Sequence, residues 1–340
     1  MALLDLPVAT LADWLRLLAV PAFAWAAYRD VRTRRVPNAV WLPLVAVGVL
    51  ALSLDAADLF VIEPTPFRQD VFLIRVVASL GLVAPMGYLF WRIGGFGGAD
   101  AKALITIAVL FPATPAYLFA TPSVALPLHS GGLVFSLAVL TNTVLFGLAS
   151  PLALAARNAL AGRFRPSMFV GRPVSIDRLA TTYGRLLETP EGFTRRGLDV
   201  DALRMYLRWR GTSLGELRAA PADHRDPASI GATNDPGDGS LAASGPVADG
   251  GPRRAARKVA FEDSDDPWGA ARFLAEIEGD AYGTTPEALR EGLEVVTEPG
   301  RERVWVTPGM PFILPMFLGL VVAIVYGDVL FWLLTLAGLA

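Results

Sequence analysis

Residues 71–91 read VFLIRVVASLGLVAPMGYLFW, an apolar run in which Arg75 is the one charge. A helix of about 20 such residues crosses the roughly 30 Å hydrocarbon core of a bilayer, so this run is read as a membrane helix. Five more apolar stretches accompany it, at 10–28, 39–54, 101–121, 131–156 and 310–339. The stretch at 39–54 is short and extends past Asp55 toward Leu59–Ile62. The last is long, contains Asp328 and is expected to tilt or to break near Gly327. Hydrophobic residues make up 53% of the 340 and the mean hydropathy is +0.45, too apolar for one large soluble core. The N-terminus carries Asp5 and Asp13 and no basic segment, so the first stretch is read as a retained helix rather than a cleaved signal.

Orientation follows from the basic residues between the stretches. Arg29, Arg32, Arg34 and Arg35 sit in the first connection, Arg92 and Lys102 border the third, and Arg157, Arg163 and Arg165 follow the fifth. With six crossings these three places share one side, which the charge rule makes cytoplasmic. The opposite connections hold Asp55, Asp58, Glu63 and Asp70, with Arg68 as their basic residue. The expected layout is an all-α membrane bundle of six helices, with both termini outside and residues 158–309 in the cytoplasm. Arg16 and Arg75, inside apolar stretches, are read as snorkelling to the nearest interface rather than as buried partners.

The chain divides by composition into 1–157, with five membrane helices, a solvated insert at 158–309, and a last membrane helix at 310–340. The insert has 23 acidic and 20 basic residues and is expected to be α/β. Strands are predicted at Val170–Ile176 and Val304–Thr307. Helices are predicted at Asp201–Arg210 with Asp199 as cap, at Pro267–Ile277, and at Thr285–Val296, which opens on a hydroxyl, a proline and an acid. The segment 221–252, rich in Pro, Ala, Asp, Gly and Ser, is predicted to be a flexible linker. The run Glu262, Asp263, Asp265, Asp266 reads as a solvated face, and Arg253, Arg254, Arg257 and Lys258 as linker solvation.

The chain has no Cys and two His, His129 and His224, which excludes thiolate nucleophiles and disulfides and argues against a His-based metal site. No cofactor and no nucleic-acid partner are expected. Two acids remain at matching depth on the basic side. Asp30 ends the first apolar stretch, and Asp100 begins the fourth after a run of glycines. Two facing carboxylates cannot both ionise cheaply, so one pKa rises and a proton is shared. One can then act as base on a water while its protonated partner polarises a peptide carbonyl. The glycines allow a sharp turn and the approach of an extended substrate. Taken singly, Asp100 reads as a helix N-cap and Asp30 as a juxtamembrane charge paired with an Arg. Side by side, with these flanks, they read as a site.

The flanks carry a resemblance. Asp30-Val-Arg-Thr-Arg-Arg-Val36-Pro37-Asn38 and Gly97-Gly98-Ala99-Asp100-Ala101-Lys102 resemble the two motifs of the type IV prepilin peptidase family, in its archaeal preflagellin peptidase branch. The resemblance spans about residues 10–156, and Ala99 departs from the family pattern, which has a second glycine there. It implies a membrane aspartic endopeptidase with Asp30 and Asp100 as its catalytic pair and with Gly97, Gly98, Lys102, Pro37 and Asn38 in support. It further implies removal of a short basic leader from archaellin and pilin-like precursors with type III signal peptides, at the cytoplasmic face. The methylating, Cys-rich segment of bacterial relatives is not expected here. Two other readings stand beside it: a small transporter, which would place its ionisable residues near mid-membrane in repeated halves, and a membrane anchor for the insert, which would need neither Asp.

Overall fold

The computed structural model describes residues 9–62, 64–93, 95–120, 123–129, 134–241, 266–277, 281–308 and 311–339. They form two compact units, one of residues 1–150 with 311–340 and one of residues 151–310.

The first unit begins with α1 (Leu11–Arg16) and α2 (Ala19–Thr33). The interruption between them falls where Pro21, which has no N–H, cannot bond back to Leu17. Next comes α3 (Trp41–Ala57), which widens into a π-turn at Asp58–Ile62. Helices α4 (Pro66–Ala78) and α5 (Ala84–Arg92) are joined through a second π-turn at Ser79–Val83. Then follow α6 (Gly98–Leu110) and a hairpin of β1 (Tyr117–Ala120) and β2 (Ser123–Leu126). The apolar run at 101–121 predicted one helix. The helix stops at Leu110 because Pro112 and Pro115 cannot continue it, and the remainder pairs as strands instead. The long α7 (Phe135–Leu160) passes from the first unit into the second, with Pro151 inside it.

In the second unit, β3 (Arg172–Ser175), β4 (Arg185–Leu186), the small pair β5 (Glu188–Thr189) and β6 (Gly192–Phe193), and α8 (Val200–Arg210) come first. They are followed by α9 (Leu214–Ala219), α10 (Pro221–Arg225), α11 (Ala270–Glu276), α12 (Pro286–Thr297) and β7 (Arg303–Thr307). Strand β7 lies between β3 and β4, antiparallel to both, with Val174 opposite Val304 and Leu186 opposite Val306. These valines and Leu186 bury their side chains against Leu203, Tyr206, Phe273, Leu289 and Leu293. The predicted caps are present: Asp199 accepts from the Asp201 N–H and Thr285 from the Ala288 N–H.

Two expectations for this unit change. Residues 221–241 take a defined course, with Arg204 Nε donating to the Gly239 carbonyl at 2.6 Å and Tyr282 Oη to the Asp238 carbonyl at 2.6 Å. Backbone carbonyls thus tie down a segment too poor in apolar residues to hold itself. Residues 242–252 lie outside the described residues, as do Arg253, Arg254, Arg257, Lys258, Glu262, Asp263 and Asp265. Asp266 is buried rather than solvated, its two carboxylate oxygens accepting from the Ala271 and Arg272 N–H groups at 3.0 Å each.

The chain returns to the first unit with α13 (Ile313–Val325) and α14 (Val329–Leu336). The predicted break falls at Gly327, whose φ of 108° suits glycine. Asp328 caps α14 through the Phe331 N–H and accepts from Thr141 Oγ1. Among the described residues, three helices are long and apolar enough to cross a membrane: Asn38–Ile62, Pro66–Arg92 and Phe135–Leu160. The shorter Ile313–Val325 is apolar as well.

Helix α6 is the hub of this unit. It packs on α3 and α5, while α13 packs on α2. A Cβ at Gly48 of α3 would come within 3.2 Å of the Leu110 N, and one at Gly87 of α5 within 3.2 Å of the Ala101 carbonyl. Small residues at such crossings let apolar helices approach closely. The C-terminal end of α6 is held by Arg16, which corrects the snorkelling expectation. Arg16 is 1% exposed. Its Nε donates to the Leu110 carbonyl at 2.7 Å, and its guanidinium pairs with Asp13 and Asp55. A buried guanidinium needs its donors satisfied, and here two carboxylates and a helix-terminal carbonyl do so.

Candidate active site

Asp30 lies in the last turn of α2, just beyond the first apolar stretch, and is 8% exposed. Its carboxylate accepts from the backbone N–H of Ile313, the first residue of α13. Its Oδ2 is buried and has no hydrogen-bond partner among the described residues. A buried carboxylate oxygen left open is costly unless something binds there. Helix α2 then ends on Arg34, a left-handed cap (φ 56°, ψ 21°) whose N–H bonds to the Asp30 carbonyl at 2.9 Å. Non-glycine residues adopt that conformation rarely, and here it turns the chain toward Pro37, which opens the single turn Asn38–Val40 ahead of α3.

Asp100 is the third residue of α6, not its cap. The cap is Gly97, and the Asp100 Oδ2 reaches back to accept from the Gly97 N–H at 3.0 Å. This is the acidic half of a capping box, and Gly97 has no side chain to supply the other half. The glycine serves here by its lack of a Cβ, not by backbone freedom. Its φ is an ordinary −69°, but a Cβ would sit 3.1 Å from the Asp100 Oδ2. At Gly98 the nearest atom to an added Cβ is 3.9 Å away, so nothing in the local packing demands glycine there. Ala99 packs partly against the core of this unit.

Asp100 lies close enough to Asp30 to feel its charge. Burial, then the charge of Asp30, pushes the Asp100 carboxyl up to about 7, while the Gly97 N–H and the Arg34 guanidinium act in the opposite sense. Burial also raises Asp30, opposed by Arg34 and by the Ile313 N–H. The structure therefore brings together Asp30, Asp100 and Gly97. It keeps Lys102 on a different partner, with its Nζ donating to Asn38 Oδ1 at 2.7 Å.

Three contributors escaped the sequence reading. Arg34 influences both carboxyls, yet in sequence it is one of four arginines in a short basic segment. The Ile313 N–H comes from a helix 283 residues further along the chain, and no local signal marks it. The third is a run of rings. Phe90 lies 5.0 Å from Phe96, and Phe96 lies 4.8 Å from Phe312, measured between centroids. That run links the glycine segment to the start of α13, and so to the N–H on Asp30. An acid pair with Asp30 buried, Asp100 partly buried and one charge acting on the other can share one proton and direct a water.

A mostly helical chain with candidate membrane spans and a carboxyl pair at one end of its helix cluster is the class that these features define. The model of the type IV leader peptidase family matches residues 17–153, and that of the archaeal peptidase A24 C-terminus, type II, matches residues 249–329. Prepilin peptidase EppA of Methanothermobacter thermautotrophicus is 26% identical over 129 residues, which is 38% of this chain. The match spans 31% of that relative's length. Over these two stretches the chain is similar to the type IV leader peptidase family and to its archaeal type II C-terminal segment. The second match also takes in α12, β7 and α13, so a part of the chain in which sequence reading found no motif carries a family pattern of its own.

Proposed function

We propose that this protein is an aspartic endopeptidase that removes the short basic leader of archaellin and pilin-like precursors at the cytoplasmic membrane face. The observation that carries the reading is the action of the Asp30 charge on Asp100 beside an open, buried carboxylate oxygen on Asp30. Asp100 holds the shared proton, because burial and the charge of Asp30 both favour its neutral form. Asp30 stays ionised, supported by the Ile313 N–H and the Arg34 guanidinium. A water bound at Asp30 Oδ2 gives its proton to that oxygen as its own oxygen bonds to the scissile carbonyl carbon. Asp100 passes its proton to the carbonyl oxygen. The tetrahedral adduct then collapses: one of its hydroxyls returns a proton to Asp100, its C–N bond breaks, and a proton moves from Asp30 to the leaving amine, which restores the pair. Gly97 keeps room for the Asp100 carboxylate, while Pro37, Asn38 and Lys102 fix the two connecting segments.

The remaining layout is part of the same proposal: six membrane crossings, both termini outside, and a cytoplasmic insert at 158–309 between the catalytic helices and the last one. The basic residues near Asp30, Asp100 and Arg157 support it. The precursor's apolar helix lies in lipid against the bundle and presents its leader to the acid pair. The transporter reading loses ground because the perturbed acids sit beyond the apolar stretches rather than within them.

The test is cleavage of a leader-bearing archaellin by full-length protein in membranes, wild type against Asp30→Asn and Asp100→Asn. Each variant is expected to lose at least about 100-fold in rate, the usual scale for removing a positioned acid or base. Cleavage at the wild-type rate by either one would remove that residue from the mechanism.

A further inference from the structure

At the far end of α6 from Asp100, beside the Arg16 cluster, lies a half-open cavity of about 230 Å³. Its inner wall is Asp13, Arg16 and Asp55, where one guanidinium is shared between two carboxylates and the Arg16 donors are taken up. Its outer wall carries Asp58, Arg68 and Arg75. Arg68 and Arg75 are seven residues apart on α4, two turns of one face. Neither has an ion-pair partner among the described residues, and the Arg75 Nε is buried with no hydrogen-bond acceptor. A buried guanidinium N–H without an acceptor is expensive, and two guanidinium groups on one cavity wall suit a phosphate.

The surroundings point to where that phosphate comes from. Helix α4 opens the candidate membrane span Pro66–Arg92. Phe67 at the cavity rim is 76% exposed, and Leu73, Ile74 and Val77 on the next turns are exposed as well. The outer wall, with two cations and one carboxylate, offsets the extra carboxylate of the inner wall, and Arg68 and Arg75 are the guanidinium groups of the lining without an ion-pair partner among the described residues, so they are the ones open to a phosphate. We propose that this cavity binds a phospholipid headgroup, with its phosphate between Arg68 and Arg75, a headgroup hydroxyl or ammonium at Asp58, and its acyl chains along Phe67 and the apolar face of α4. The inference is independent of the cleavage chemistry at the other end of the helix cluster.

The test uses the full-length protein in detergent, stripped of lipid, with thermal unfolding as the readout. Three probes are compared at equal concentration: dihexanoyl phosphatidylglycerol, glycerol phosphate without chains, and dihexanoylglycerol without phosphate. Only the phospholipid is expected to raise Tm of the wild type. Arg75→Gln should abolish the shift. Arg68→Gln, at an exposed position where folding is not at stake, should weaken the apparent affinity about tenfold, the effect of losing one charge-assisted contact. Arg92→Gln, at the other end of the same span, should leave the shift unchanged. An equal shift with glycerol phosphate would mean a site for free anions, and an equal shift with dihexanoylglycerol would mean apolar contact alone. Either result, or a wild-type response from Arg68→Gln, overturns the proposal.

Discussion

The Nζ of Lys102 donates to the Oδ1 of Asn38 across 2.7 Å. The bond joins the residue two places after Asp100 to the residue eight places after Asp30, and so clamps together the two segments that carry the acid pair. Lys102 is exposed, so its net contribution to stability is expected to be small, about 1 kcal/mol or less. A double-mutant cycle of Asn38→Ala and Lys102→Met should show non-additive losses in cleavage rate with little change in Tm. Additive effects on rate would mean that the clamp does not position the carboxylates.

The pH profile of cleavage follows from the Asp100 carboxyl near 7. In the proposed mechanism the pair is active with one proton shared. As pH rises through about 7 that proton is lost, so the rate should fall on the alkaline side with a slope of one proton. Arg34 lowers both carboxyls. Removing its charge in Arg34→Gln should therefore shift the falling limb to higher pH, as measured by initial cleavage rates across pH 5–9 (about two units either side of the limb).

Gly97→Ala places a Cβ 3.1 Å from the Asp100 Oδ2. The carboxylate must shift by a few tenths of an ångström, so kcat should drop while substrate binding and Tm stay near wild type. Steady-state kinetics on a leader peptide and a thermal melt check this. A fall in Tm with unchanged kcat would contradict the account given for this glycine.

Arg16→Met leaves Asp13 and Asp55 without their shared cation and the Leu110 carbonyl without its donor. Breaking a buried ion pair from one side costs about 3–5 kcal/mol, so the variant should melt well below wild type in detergent. Arg16→Lys, with a shorter reach and no fork, should recover only part of the loss.

In the second unit, burial pushes the Asp199 carboxyl up to about 6 from its ordinary 3.8. Between those values the folded state binds more protons than the unfolded chain, so stability falls as pH rises from about 4 through about 6 and levels off above. Asp199→Asn keeps a good helix cap for α8 and has no carboxyl to titrate. The difference in Tm between the full-length wild type and this variant should therefore grow over that pH range, in favour of the variant.

The run at 71–91 was legible as helix although it holds Pro85, because that proline falls in the first turn of α5, where a missing N–H costs nothing. At 101–121 the composition read as one helix, yet Pro112 and Pro115 divide it into α6 and a strand. The caps Asp199 and Thr285 were readable because capping is local chemistry. The flanks singled out Asp30 and Asp100, and the charge of Asp30 acts on Asp100 in the structure. Arg16 was misread because its partners Asp55 and Leu110 come from other helices, and hydropathy along one segment does not register a charge neutralised by another. The Ile313 N–H and the order of 221–241 escaped for the same reason: both depend on acceptors or donors distant in sequence.

The donor that Asp30 takes from Ile313 lies beyond the whole insert in the chain. On a ribosome, Asp30 and Asp100 are both made long before α13, and until then Asp30 has no support from it. Under the proposed function, the order of translation acts as a built-in safety catch, because the acid pair is not fully supported until α13 has been made.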